Sequence, residues 1–145
     1  MGKFTLVATA TFGLESIVAN ELKLLGFENI QTENGRVIFT GNEIDICIAN
    51  IHLRCADRVF ILLKEFKALT FEELFQGVKS ISWEKYLTQD ACFPIYDAKS
   101  VKSKLFSLSD IQSISKKAIV ERLKEHMKLH GLVKKELNIL YLFLF

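Results

Sequence analysis

The first 41 residues alternate between strand and helix patterns, and this order constrains the fold more than any other feature of the chain. Residues 4–10 alternate apolar with polar or small side chains, as a half-buried strand does. Apolar residues then recur at helical spacing from Leu14 to Leu25, and Gly26 stands where a helix can end in the left-handed conformation. Asn34-Gly35 predicts a hairpin turn between strands at residues 27–32 and 36–40.

Further helices and strands follow this strand–helix–strand–strand order. Gly41-Asn42 can cap a second helix with Ile44, Ile48 and either Ile51 or His52 on one face. Residues 57–66 are rich in Val, Ile and Leu, which predicts a buried central strand. The remaining predicted elements are a capped helix from Thr70, a turn centred on Trp83, a strand at residues 91–96, a polar loop at residues 97–109 and a helix at residues 110–124.

The opening order corresponds to half of a ferredoxin-like unit. No repeat, low-complexity tract or Pro/Gly linker divides the chain, so we predict two small units of α/β (α+β) class that share an interface. Half of the residues are hydrophobic, which supports a sizeable core and excludes a disordered chain.

Several classes of protein are not expected from this composition. No apolar run approaches the ~20 residues that span a bilayer, and the N-terminus lacks the apolar region of a signal peptide, so we expect a cytoplasmic protein without a membrane partner. The three cysteines and three histidines lack metal-ligand spacing, so we expect no metal. Cys47 and Cys92 are expected to act as small hydrophobic residues. No catalytic triad or glycine-rich Gly-x-Gly-x-x-Gly loop occurs, and no catalytic residue is predicted.

The charge is unevenly distributed along the chain. Residues 1–97 carry a balance of −4 and residues 98–145 a balance of +6, within a net charge of +2. This asymmetry suggests that the second part meets a polyanion, although a solvated basic helix face would give the same pattern.

Lysines alternate with serines in the segment from residue 99 to residue 117, which runs into a helix N-terminus. Ammonium groups, hydroxyls and free helix amides all bind phosphate oxygens, and such contacts hold a nucleic-acid backbone without recognising the base sequence. The candidate RNA-binding residues here are Lys99, Ser100, Lys102, Ser103, Lys104, Lys116 and Lys117. Composition alone favours the alternative of a polar surface loop with Asp110 as an ordinary N-cap.

Two smaller sets of residues have competing interpretations. Arg54 and Arg58 lie four apart around a predicted helix end and are further candidates for RNA contact, but Asp57 between them makes salt bridges equally plausible. Trp83 and Tyr86 could form a stacking surface, although packing of Trp83 in the core is the favoured interpretation.

A family resemblance runs almost continuously from Lys3 to about His126. It is carried by Leu6–Glu15, Asn50–Val59, Glu65–Ala68, Phe71–Phe75, Trp83-Glu84 and Lys99–Lys124. These segments resemble the start of bacterial THUMP-domain class I SAM-dependent RNA methyltransferases. The family includes the guanine-N2 methyltransferases of large-subunit rRNA and was formerly described as adenine-specific DNA methylases.

The resemblance implies a ferredoxin-like unit at residues 1–44 and a THUMP domain at residues 45–126 that is incomplete at its C-terminus. It implies an RNA-binding module that positions structured RNA, large-subunit rRNA in particular, for a SAM-dependent catalytic domain absent from these residues. It also favours an RNA contact for the Lys/Ser segment. The alternative function is a ferredoxin-like regulatory domain that binds a small molecule.

Residues 127–145 depart from the family pattern, which continues with a Trp-Phe pair and a strand containing Tyr-Pro-Ile. With suitable codons, His130–Phe145 read one nucleotide earlier can spell such a continuation, so we hypothesise a frameshift near residue 126. A natural C-terminal strand at Ile139–Phe145 is the alternative.

Overall fold

A computed structural model of the chain describes residues 2–88, 95, 97–100, 104–127 and 141–144. The chain divides into two units, Met1–Leu63 and Lys64–Phe145. None of the helices within the described ranges is both long and apolar enough to cross a bilayer.

The first unit alternates strands and helices in the order βαββαβ. Its elements are β1 (Phe4–Ala10), α1 (Glu15–Leu24), β2 (Glu28–Glu33), β3 (Arg36–Gly41), α2 (Glu43–His52) and β4 (Ala56–Ile61). The strands form a four-stranded sheet in the order β2-β3-β1-β4, and each neighbouring pair is antiparallel. This order of elements is the ferredoxin-like arrangement, as predicted from the sequence.

The core of the first unit forms on one face of this sheet. In the antiparallel register Leu6 lies opposite Phe39 and Ala8 opposite Val37, so all four side chains share a face. That face packs against buried residues of the two helices, namely Val18, Ala19, Leu22 and Ala49.

The Glu15 carboxylate joins two turns of the first unit. It accepts hydrogen bonds from the amides of Gly13 and Gly35, each at 2.8 Å. The bond from the Gly35 amide is the largest cause that lowers the pKa of Glu15. Gly35 has φ +75°, which a hairpin turn of this kind requires and which glycine adopts without strain.

The structure corrects three expectations for this unit. Residues 57–66 were predicted as a central strand, but β4 ends at Ile61 and lies at the sheet edge, because β1 pairs with both β3 and β4. Ile44 and Ile51 are exposed, because α2 turns the small Ala49 toward the core instead. Cys47 is likewise exposed, and Cys92 lies outside the described residues.

The second unit contains two packed helices and a pair of short strands. Its elements are α3 (Phe71–Lys79), a 3₁₀ turn (Trp83–Lys85), β5 (Asp97–Ser100), α4 (Leu108–Met127) and β6 (Tyr141–Leu144). Helix α4 contacts α3, the 3₁₀ turn and β5, and β5 pairs with β6 in parallel. The Thr70 hydroxyl caps α3 by accepting from the Glu73 amide at 3.2 Å, as predicted.

The core of the second unit lies between α3, α4 and the 3₁₀ turn. Its largest buried side chains are Trp83, Leu74, Val78, Ile111, Ile119 and Leu123. The Trp83 indole Nε1 donates to the Val78 carbonyl at 2.8 Å, which satisfies its polar atom away from water. The favoured interpretation of Trp83 as a core residue is therefore confirmed, and Trp83 is unavailable for stacking on a base.

The predicted polar loop at residues 97–109 is wrong at its start, because Asp97–Ser100 forms β5. The partner strand of β5 lies more than forty residues later, at Tyr141–Leu144, so no local pattern could reveal the pairing. Of the strand predicted at residues 91–96, only residue 95 lies within the described ranges. Helix α4 begins at Leu108, two residues before the predicted Asp110.

Candidate nucleic-acid interface

Helix α4 has an exposed side that carries several lysine and serine side chains, together with Asp110 and Val120. Ser109, Ser113, Lys116, Lys117 and Lys124 are all exposed and follow one another at intervals of four, three, one and seven residues, which places them on one side of the helix. We call these five residues the Lys/Ser face. The buried residues of α4, which include Ile111, Ala118, Ile119 and Leu123, face the core and fix the rotation of the helix.

The acidic residues Glu121 and Glu125, near the C-terminal end of α4, share one lysine of another helix as their ion-pair partner. The Lys79 ammonium lies 2.7 Å from a Glu125 oxygen and 3.6 Å from a Glu121 oxygen. The hydrogen bond to Glu125 is the main cause that raises the pKa of Lys79. Since Lys79 comes from α3, these pairs also hold the two helices together.

The lysines of the Lys/Ser face have no such partners among the described residues. Within the described part of the chain, no carboxylate lies within salt-bridge distance of Lys116, Lys117 or Lys124. The Lys117 ammonium instead lies 6.0 Å from the centre of the Phe75 ring, at the limit of a cation–π contact. The face therefore carries three exposed, uncompensated positive charges next to serine hydroxyls, an arrangement that can bind successive phosphates.

The structure describes only part of the predicted Lys/Ser segment. Lys104 is exposed just before α4, and the Ser107 and Ser109 hydroxyl oxygens lie 3.3 Å apart at the start of this helix. Lys99 and Ser100 lie on β5, where the backbone alone is described. Lys102 and Ser103 lie outside the described residues.

Arg54 and Arg58 belong to the first unit, whereas the Lys/Ser face belongs to the second. Both arginines are exposed, but Arg54 lies in the turn after α2 and Arg58 lies within β4, opposite Thr9. The Arg54 amide donates to a Glu21 oxygen at 3.2 Å, which ties this turn to α1. The sequence analysis predicts that the two arginines lie around one helix end, but in the structure only Arg54 does, because Arg58 is part of β4.

The sequence-based candidates omit four residues near this surface. Ser109, Ser113 and Lys124 belong to the Lys/Ser face, and the helical spacing of the polar residues on α4 could have identified them. Phe106 is exposed beside Lys104, but its exposure carries no signal in the sequence, since apolar residues in loops more often pack inward. The described side chains include no cluster of His, Cys, Asp or Glu that could hold a metal ion.

Comparison with known protein families assigns both units. The model of the RlmL ferredoxin-like domain matches residues 5–60, and the model of the THUMP domain matches residues 68–132. The chain combines an RlmL-type ferredoxin-like domain with a THUMP domain. The Lys/Ser face therefore lies on the THUMP domain. The boundary expected near residue 44 falls within α2, inside the residues that the ferredoxin-like model matches.

Curated relatives of this chain are RNA methyltransferases. YpsC of Bacillus subtilis, provisionally assigned as an RNA methyltransferase, is 49% identical over 124 residues, which are 86% of this chain and 32% of YpsC. The ribosomal RNA large subunit methyltransferase K/L of Psychromonas ingrahamii is 33% identical over 79% of this chain and 15% of its own length. The chain thus spans about a third or less of these two relatives.

A solved structure with the same fold is that of SMU.472, a provisionally assigned methyltransferase in complex with SAH. It superposes with a TM-score of 0.83 at 51% identity and covers 88% of this chain, which matches 34% of SMU.472.

Proposed function

We propose that this chain is the RNA-docking module of a SAM-dependent rRNA methyltransferase and acts in the cytoplasm. In this proposal its THUMP domain holds structured RNA, large-subunit rRNA in particular, while methyl transfer to a guanine N2 takes place on a separate catalytic domain. The name of the Psychromonas relative supports the rRNA substrate, and the SAH bound to SMU.472 supports SAM as methyl donor. Arg54, Arg58, Lys99, Ser100, Lys102, Ser103 and Lys104 remain predicted RNA contacts in addition to those of the Lys/Ser face.

The observation that carries the proposal is the Lys/Ser face on the THUMP domain. Its three lysines have no carboxylate partner in the described part of the chain, although Glu121 and Glu125 lie on the same helix and are paired with Lys79. Exposed charges that are left uncompensated lower the stability of the free protein slightly through mutual repulsion. A polyanionic partner that approaches this face would remove that repulsion.

The alternative of a regulatory domain that binds a metabolite receives less support. The first unit has a cleft of about 160 Å³ lined by residues at the ends of β2 and β3 and the start of α2, including Lys3, Asn29 and Asn42. Pockets for small-molecule ligands usually have volumes of about 300–1,000 Å³. The cleft is therefore small for a metabolite.

The salt dependence of RNA binding tests the proposal. The 145-residue chain is titrated with a structured RNA hairpin at several KCl concentrations. We expect log Kd to change linearly with log [KCl], because bound lysines release counterions from the phosphates. In the variant with Lys116→Glu, Lys117→Glu and Lys124→Glu, the slope should fall by about three, roughly one for each lost lysine–phosphate contact.

A matched variant distinguishes the effect of where the lysines lie from the effect of the net charge of the chain. Lys3→Glu, Lys23→Glu and Lys85→Glu also replace three exposed lysines and give the same net charge, but they lie off the Lys/Ser face. This control should retain the affinity and slope of the unmodified chain. Equal losses in both variants would assign the binding to overall charge, and salt-independent binding would favour the metabolite-like alternative.

A further inference from the structure

Phe106 is the most exposed aromatic side chain that the structure describes. It lies in the segment between β5 and α4, and 83% of its surface is accessible to solvent. Single exposed apolar residues are common on protein surfaces and carry little meaning by themselves. The functional argument for Phe106 therefore depends on the residues near it in the chain.

The surroundings of Phe106 are basic and rich in hydroxyls. Lys104 is exposed two residues before it, and Ser107 and Ser109 follow with hydroxyl oxygens 3.3 Å apart. Ser109 is also the first residue of the Lys/Ser face. An exposed aromatic residue thus lies three positions before the first residue of the Lys/Ser face in the chain.

The dimensions of the Lys/Ser face fit a short stretch of nucleic-acid backbone. Ser109 and Lys117 are eight residues apart on α4, which corresponds to about 12 Å along the helix at about 1.5 Å per residue. An RNA strand whose backbone follows the Lys/Ser face has several bases that can turn toward the protein. A flat apolar ring can stack on any base, since every base has a π face.

We infer that Phe106 stacks on an unpaired nucleobase of RNA whose sugar–phosphate backbone follows the Lys/Ser face. The inference rests on the proposed function and specifies its ligand as RNA with a single-stranded end or loop at this position. A base within a continuous duplex does not qualify, because its faces are covered by its neighbours, and proteins reach splayed bases in loops and ends instead.

Phe12 provides a matched comparison within the same chain. It is 79% exposed and lies between a strand and a helix, as Phe106 does. No Lys or Arg occurs within eight residues of Phe12, whereas three lysines occur within eight residues of Phe106. Removal of Phe12 therefore deletes a similarly exposed apolar side chain that has no lysine or arginine near it in the sequence.

The experiment compares two RNA hairpins, one blunt and one with a four-nucleotide 3′ overhang that carries 2-aminopurine at each position in turn. Binding of the 145-residue chain to the overhang should quench 2-aminopurine at one position, because stacking on an aromatic ring quenches this base. Phe106→Ala should remove the quenching and weaken overhang binding by roughly 5- to 150-fold, the range that base–aromatic stacking gives. Phe106→Trp should keep both signals, Phe106→Leu should lose the quenching, and Phe12→Ala should behave as the unmodified chain.

The outcomes separate the inference from the proposed function. If Phe106→Ala binds the overhang as tightly as the unmodified chain while the three-lysine variant of the Lys/Ser face binds weakly, the inference is overturned and the proposed function stands. The same holds if blunt and overhang hairpins bind equally. If neither hairpin binds in a salt-dependent way, the proposed function fails, and the inference fails with it. A loss with Phe106→Ala on the overhang hairpin alone supports both.

Discussion

The Arg122 guanidinium donates two hydrogen bonds to the Glu84 carboxylate, at 2.8 and 3.2 Å. The contact joins α4 to the 3₁₀ turn that carries the buried Trp83. The two parallel bonds match the planar geometry of both groups. They are the main cause that lowers the pKa of Glu84 to about 2. The pair therefore couples the stability of the second unit to pH.

We predict that the second unit loses stability as the pH falls from about 5 toward 2. A carboxyl group in the unfolded chain has a pKa of about 4.3, so the unfolded state takes up its proton first as the pH falls. The stabilisation from the Glu84–Arg122 pair is complete above the unfolded pKa and disappears as the pH passes through the folded pKa of about 2. Urea unfolding followed by Trp83 fluorescence measures this, since Trp83 is the only tryptophan.

Glu84→Gln should reduce this pH dependence and lower the urea midpoint at pH 7. Glu72→Gln is the matched control, because Glu72 is also in the second unit and is exposed with Gln76 as its side-chain partner. An equal change of the pH profile in both variants would contradict a specific role for the pair.

Gly77→Ala should destabilise the second unit. A Cβ atom at Gly77 would overlap the Phe66 ring, so the ring would have to leave its position against α3. Alanine favours a helix over glycine by about 1 kcal/mol, whereas overpacking typically costs about 1–3 kcal/mol, and we expect a net loss. Urea unfolding of Gly77→Ala measures it. The double variant Gly77→Ala/Phe66→Ala should show a smaller effect of the glycine replacement than the single variant, and strictly additive effects would contradict the contact.

Ser115→Ala should stabilise the second unit. Ser115 is fully buried on α4, and its hydroxyl has no hydrogen-bond partner among the described residues. A buried unsatisfied polar group costs about 1–3 kcal/mol, and alanine is also the better helix former. Ser113→Ala is the control two residues away, since Ser113 is exposed and should change stability by only a few tenths of that amount. A lower urea midpoint for Ser115→Ala would show that its hydroxyl has a partner that stabilises the fold.

The elements recognised from the sequence are those with a local physical cause. Gly26 and Gly35 occur where φ is positive, and the Thr70 hydroxyl accepts a hydrogen bond from the Glu73 amide at the start of α3. In each case the residue that indicates a turn or a helix start lies within a few positions of it. The edge position of β4 and the existence of β5 depend instead on partner strands distant in sequence. No pattern within β4 or β5 contains that information.

The sequence predicts some residues of the candidate site but not the contacts that decide whether they are available to a ligand. Lys116 and Lys117 were identified because lysines and serines alternate before a helix, which is a local pattern. In the described part of the chain, Glu121 and Glu125 of the same helix are instead paired with Lys79 on another helix, which no local pattern reveals. The exposure of Phe106 depends on packing that no short pattern describes.

The codons of His130–Phe145 will test the frameshift hypothesis for the C-terminal residues. Read one nucleotide earlier, they should spell Trp-Phe-Gly-Glu-Lys-Arg-Ala-Glu-Tyr-Pro-Ile-Phe-Ile-Ser-Ile, and sequencing of the gene shows this directly. Codons that cannot spell this peptide would favour a natural strand instead. In the structure, Tyr141–Leu144 does pair with β5 as a strand. An apolar β-prone segment can form such a pairing without having been selected to pack there. A chain that carries the shifted-frame peptide, which follows the family pattern, should therefore pack better and unfold at a higher urea concentration than the present chain.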